Sequence, residues 1–193
     1  VVNSYDDAIN SSRHMYIKGG DVTVVSSNND GLDSNGNMYI QGGVIRAFGT
    51  SSPECGIDAN EEDGYSVIFT GGTLLAVGGG NSVPSTSEST QPYVTGSMTV
   101  TAGEEITLKD GNTVLATFVV PSNYSSSGNG GGMHVGAAPG GPGGGGNFGR
   151  GSSVLVSSAN LSSGSSYTLV SGTSSSTVKA TLIGGNSGGG RPW

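Results

Sequence analysis

Charge is scarce in this chain. Asp, Glu, Lys and Arg make up 11% of 193 residues, and only seven of them are basic. With a net charge of −7, a nucleic-acid partner is excluded and cations are favoured. Cys55 stands alone, so no intrachain disulfide forms. No apolar run approaches 18 residues, so no spanning helix and no membrane insertion are expected. The start carries no signal-peptide pattern: Val1-Val2-Asn3-Ser4 already enters a strand pattern, as in a product trimmed from a longer precursor. Nor does any stretch of ten or more residues keep a 3.6 periodicity, which excludes helical repeats.

What the chain has is an internal repeat. Asp7-Ala8-Ile9-Asn10 leads to Met15-Tyr16-Ile17, then Gly19-Gly20, then Asp21-Val22-Thr23-Val24. Asp30-Gly31-Leu32-Asp33 leads in the same order to Met38-Tyr39-Ile40, Gly42-Gly43 and Val44-Ile45-Arg46-Ala47. Gly56-Ile57-Asp58 leads to Val67-Ile68-Phe69, Gly71-Gly72 and Thr73-Leu74-Leu75-Ala76. The second glycines are spaced by 23 and 29 residues, a period that suits one coil of a solenoid. The short pieces alternate with period 2, the signature of strands. Aligned, the copies give apolar columns: Ile9, Leu32, Ile57; Met15, Met38, Val67; Ile17, Ile40, Phe69; Val22, Ile45, Leu74. Tyr16, Tyr39, Ile68 and Thr23, Arg46, Leu75 fall between them and point outward. The glycine pairs mark corners where positive φ is cheap only for Gly.

The expected fold is all-β: a right-handed parallel β-helix of three coils over residues 1–80, closed by a less regular β cap over 81–183. The cap contains a hairpin turn at Lys109-Asp110-Gly111-Asn112 and a flexible Gly-rich insertion over 125–151. A Gly-rich tail, 184–193, ends in Trp193, read as a packing anchor. The first coil leaves Ile9, Met15, Ile17 and Val22 uncovered, so self-association or coils upstream of this chain are expected at that end.

With this pattern laid out, the chain resembles the secreted bacterial carbohydrate-binding β-solenoids. The residues that carry the resemblance are Asp6 to Asn10, Asn29 to Gly36, the strand-Gly-Gly-strand units, Gln91-Pro92, Ile106 to Asn112, Ser152 to Val154 and Leu161 to Thr168. The similarity spans roughly residues 5 to 172 and matches the C-terminal half of a longer member. It implies a calcium-bearing, pectate-lyase-like protein, extracellular or on the cell surface, that binds cellulose-like or pectic polysaccharide.

The candidate metal ligands are Asp7, Asp30, Asp33 and Asp58. Neighbouring coils lie about 4.8 Å apart, so ionised carboxylates in one column repel, and a hard cation such as calcium relieves this. A turn ladder bonded to backbone amides explains the same residues without a metal. Cys55 aligns with Asp7 and Asp30 and is expected to be inert. For carbohydrate, Tyr16 and Tyr39 offer an aromatic platform, with Arg46 beside them to meet uronate carboxylates. A cross-strand aromatic pair that only stabilises the sheet, and a solubilising arginine, are the plainer readings.

No residues are assigned to catalysis. No spacing singles out a pair of acids for glycoside cleavage, no lyase motif surrounds Arg13, Lys18 or Arg46, and His14 and His134 read as surface residues. The glycines at 128–146 lack the Gly-Lys-Ser/Thr ending of a phosphate loop. The sequence thus points to a non-catalytic binder. Its rivals are a surface or filament protein that stacks end to end, and a calcium-dependent polysaccharide lyase.

Overall fold

A computed structural model describes residues 1–126 and 152–181. Most of the expected Gly-rich insertion, His134 and the tail with Trp193 lie outside these residues.

The repeat sets the register of the first eight strands. β1 (Val2–Ser4), β4 (Asp21–Ser26), β6 (Met38–Phe48) and β8 (Val67–Gly78) pair in parallel, and β3 (Met15–Ile17) pairs with the first half of β6. β2 (Ile9–Ser11), β5 (Leu32–Ser34) and β7 (Ile57–Ala59) form a separate three-stranded parallel sheet. Each aligned column is an observed pair: Ile9 with Leu32 with Ile57, Tyr16 with Tyr39 with Ile68, Ile45 with Leu74. Between these two sheets lies one core, built on Met38, Ile40, Ile45, Leu32, Ile57, Phe69 and Leu74.

The expected fold, a right-handed parallel β-helix of three coils closed by a less regular β cap, is not what forms: the described strands build separate and mixed sheets and no regular β-helix. β9 (Tyr93–Met98) and β12 (Ser152–Ser158) join the large sheet antiparallel, giving a mixed sheet in the order β1-β4-β6-β8-β12-β9. β10 (Glu105–Asp110), β11 (Thr113–Val119), β13 (Ser166–Ser171) and β14 (Ser174–Lys179) make a third, wholly antiparallel sheet. The hairpin turn at Lys109 to Asn112 does connect β10 to β11.

The reason is a second apolar face. Along β4, β6, β8 and β12, Val24, Ala47, Leu74, Ala76 and Leu155 face the first core. Their neighbours Val25, Phe48, Leu75, Val77, Val154 and Val156 point the other way and are also buried. The antiparallel sheet covers them with Ile106, Leu108, Phe118 and Leu169. Leu75, expected to point outward, does so and is wholly buried by this third layer. A strand that is apolar on both faces must be covered on both.

At the corners, the second glycine of each pair has positive φ: 93° at Gly20, 88° at Gly43 and 81° at Gly72. At Gly43 a Cβ would also stand 2.5 Å from the carbonyl oxygen of Gly20. Gly43→Ala is therefore expected to cost at least about 1–2 kcal/mol. An unchanged denaturation midpoint would remove the corner from the determinants of the register.

Candidate functional site

Two constellations sit on the repeats. The first is acidic. The β2-β5-β7 register puts Asn10, Asp33 and Asp58 in one row, and Asp30 comes from the turn just before β5. Carboxylate oxygens of Asp30, Asp33 and Asp58 all lie within 4.8 Å of one another. At an effective dielectric of about 20, two charges at that distance repel by roughly 3.5 kcal/mol. Among the described residues the only ion pair is Arg46 with Asp21, so no basic side chain offsets the cluster.

The partners that are present are polar and neutral. Asn10 Nδ2 donates to Asp33 Oδ2 and to Asp7 Oδ2, the latter at 3.1 Å. Asp30 Oδ1 accepts the amide of Cys55. Ser82 Oγ donates to Asp58 Oδ1 at 2.8 Å. Burial, with Asp58, Glu54 and Asp7 adding and the Cys55 amide opposing, pushes Asp30 up to about 7. Burial and the charges of Asp7 and Asp58 push Asp33 up to about 6. Glu54 is raised for the same reasons. The Cys55 thiol is pushed up to about 12, by burial first and then by Asp30 and Asp58. It stays protonated at neutral pH and has little tendency to act as a ligand or nucleophile.

Of the four acids expected to bind metal, the structure brings three together. Asp7 lies at their edge, where its Oδ2 accepts from Asn10 Nδ2 and its Oδ1 accepts the amide of Asp30. The donors are all oxygen, which suits a hard cation. An ion centred in an oxygen triangle with sides of 4.8 Å or less stands at most about 2.8 Å from each corner; a slight contraction brings this to calcium's 2.3–2.6 Å.

The second constellation is aromatic. Tyr16 and Tyr39 stack with centroids 4.6 Å apart and planes 6° from parallel. Tyr16 is 53% exposed. Beside the stack stands His14, edge to face with Tyr16, Tyr39 and Tyr65 at 6.5, 6.2 and 5.7 Å. Asn37 ties the group together. Its amide donates to His14 Nδ1, its Nδ2 donates to the Tyr39 hydroxyl, and its Oδ1 accepts the amide of Ser66, each at 2.9 Å.

Arg46 is not free beside these rings. Its guanidinium is paired with Asp21 and lies 3.5 Å from Thr23 Oγ1. His14, Asn37 and Tyr65 were not picked out from the sequence as a group. Their signal was the alignment itself, because His14, Asn37 and Ser66 each sit just before an aligned strand. Each amide in that column after the first is received by the side chain of the repeat before it. Elsewhere, an open cleft of about 360 Å³ is lined by Gly79, Thr95, Gly96, Ser97 and Ser153. It offers hydroxyls and backbone, with no ring and no charge.

Compared with family models, curated proteins and solved structures, the chain matches none.

Proposed function

We propose that this all-β protein binds extracellular polysaccharide without cleaving it, and that calcium at Asp30, Asp33 and Asp58 stabilises the binding scaffold. The observation that carries the binding reading is an aromatic ring stacked on its neighbour and still more than half exposed, Tyr16 on Tyr39. The apolar C–H face of a sugar lies well against such a ring, while its hydroxyls stay in water or meet polar side chains. The resemblance to secreted carbohydrate-binding proteins points the same way, and cellulose-like and pectic chains are the first glycans to try. With Arg46 held by Asp21, uronate recognition loses the partner first expected for it.

The calcium reading rests on three converging carboxylates without a cationic partner among the described residues. Each is carried on or beside a strand of the small sheet, so a cation there joins successive repeats.

The test is depletion on insoluble cellulose and on pectin. The bound fraction is expected to fall at least tenfold in Tyr16→Ala, with no unsaturated sugar ends appearing in the ultraviolet. Equal depletion by Tyr16→Ala and the parent would overturn the role of the ring, and new ultraviolet absorbance would replace the binder with a lyase. A second reading, end-to-end assembly, is favoured by the edges of β1, β2 and β3 that carry no strand among the described residues, and by Ile9, Ile17 and Val22, which are only partly buried; Met15, expected to be uncovered with them, is buried. Long polymers in sedimentation would put that reading first.

A further inference from the structure

A flat platform that runs along a polysaccharide needs ring faces side by side. The geometry here is different. Tyr16 and Tyr39 lie face against face, so each closes one face of the other. On its far side Tyr39 is in register with Ile68, which is 3% exposed. Tyr39 is half-buried, and its hydroxyl is held by Asn37 Nδ2 at 2.9 Å. The same Asn37 fixes His14 beside the stack and receives the amide of Ser66 in the next repeat. For Tyr39 to swing outward and lie coplanar with Tyr16, that bond and the stack would both have to break. β3 has β6 as its only strand partner among the described residues, so the remaining face of Tyr16 is uncovered. The Tyr16–Tyr39 stack therefore presents one open face, that of Tyr16.

We propose that this site takes a single sugar ring at a time, a chain end or side branch laid on the open face of Tyr16, and not the side of an extended chain. The proposal rests on the polysaccharide-binding reading above. Tyr39 supports Tyr16 from behind, and Asn37 is the positioning residue that locks Tyr39. Affinity is set by one ring-to-ring contact, so it does not grow as the chain lengthens beyond a disaccharide.

The experiment is an NMR titration of the whole chain, following the ring signals of Tyr16 and the methyl signals of the buried Leu and Ile residues. The probes are methyl β-glucoside, cellobiose and cellohexaose, with galacturonate mono-, di- and hexamers as a second series. Within the series that binds, dissociation constants per molecule are expected to agree within about threefold from disaccharide to hexasaccharide. Tyr16→Ala weakens binding at least tenfold while the core methyl signals keep their positions. Asn37→Ala broadens the Tyr39 signals and weakens binding severalfold, a loss that a purely structural asparagine would not bring with the core signals intact. An affinity that rises tenfold or more between disaccharide and hexasaccharide overturns the single-ring proposal and leaves polysaccharide binding standing. Binding unaffected by Tyr16→Ala overturns it equally, by placing the sugar elsewhere. No response to any sugar in either series overturns the binding reading, and this proposal with it.

Discussion

In chelator, the thermal stability of this protein is expected to fall as the pH rises from about 4 to about 7, and calcium is expected to reverse the fall. Asp30 and Asp33 titrate near 7 and near 6 in the folded chain, against 3.8 when unperturbed. Between those limits the native state holds protons that the unfolded state has released, so stability declines with rising pH. Below about pH 4 both states are protonated and the advantage is fully present. It is lost as the pH rises through the folded values near 6 and 7, and is gone once the pH stands about a unit above 7. A cation needs the carboxylates ionised, so its effect grows through the same window. At a calcium concentration 100 times the dissociation constant, binding adds about 2.7 kcal/mol, or about 5–10 °C in a chain of this size.

Asp30→Asn provides the control. An amide at this position keeps an oxygen to accept the Cys55 amide and removes the charge that burial penalises. The variant is expected to be more stable than the parent at pH 7 in chelator and to lose most of the calcium response. Magnesium, which demands a tighter octahedron of oxygens, is expected to protect less than calcium does. A melting temperature that is flat between pH 4 and 7 in chelator and unmoved by calcium would leave the three acids as a hydrogen-bonded turn ladder.

Much of the first half was legible in the sequence, because stacked repeats leave a one-dimensional record. Aligning Ile9 with Leu32 and Ile57, or Tyr16 with Tyr39 and Ile68, predicts the strand pairs that form. The same alignment puts Asn10, Asp33 and Asp58 in one row. It does not show that Asp30, on the turn before β5, reaches the same point. The second half leaves no such record. β12 lies against β8, pairing Leu155 with Ala76 across 79 positions, and no repeat announces a contact of that range. One clue to the missed layer was present: Val24-Val25, Ala47-Phe48 and Leu74-Leu75-Ala76-Val77 are apolar at consecutive positions. Consecutive apolar residues in a strand mark burial on both faces. Reading them as one inward column and its margin left the outer face bare, and a bare face fits a solenoid.

That outer face makes Phe48→Ala the most damaging substitution to expect. Phe48 is wholly buried at the end of β6, and its ring lies 5.2 Å from that of Tyr124, beyond β11. It belongs to the core between the large sheet and the antiparallel sheet, together with Val25, Leu75, Val77, Phe118 and Leu169. Truncating a buried Phe costs about 3–5 kcal/mol, or about 6–20 °C in a chain of this size. Which part loosens is the more informative readout. The core between the parallel sheets, with Ile45, Leu32 and Ile57, does not include Phe48. Amide exchange in Phe48→Ala is therefore expected to quicken first in β10 and β13, while β5 and β7 keep their protection. Equal acceleration in all four strands would make the two cores one cooperative unit. Selective loss in the antiparallel sheet would mean that the repeats hold their own register and the third layer is docked on them. In that case the Asp and Tyr clusters, both carried by the repeats, would persist when the outer sheet lets go.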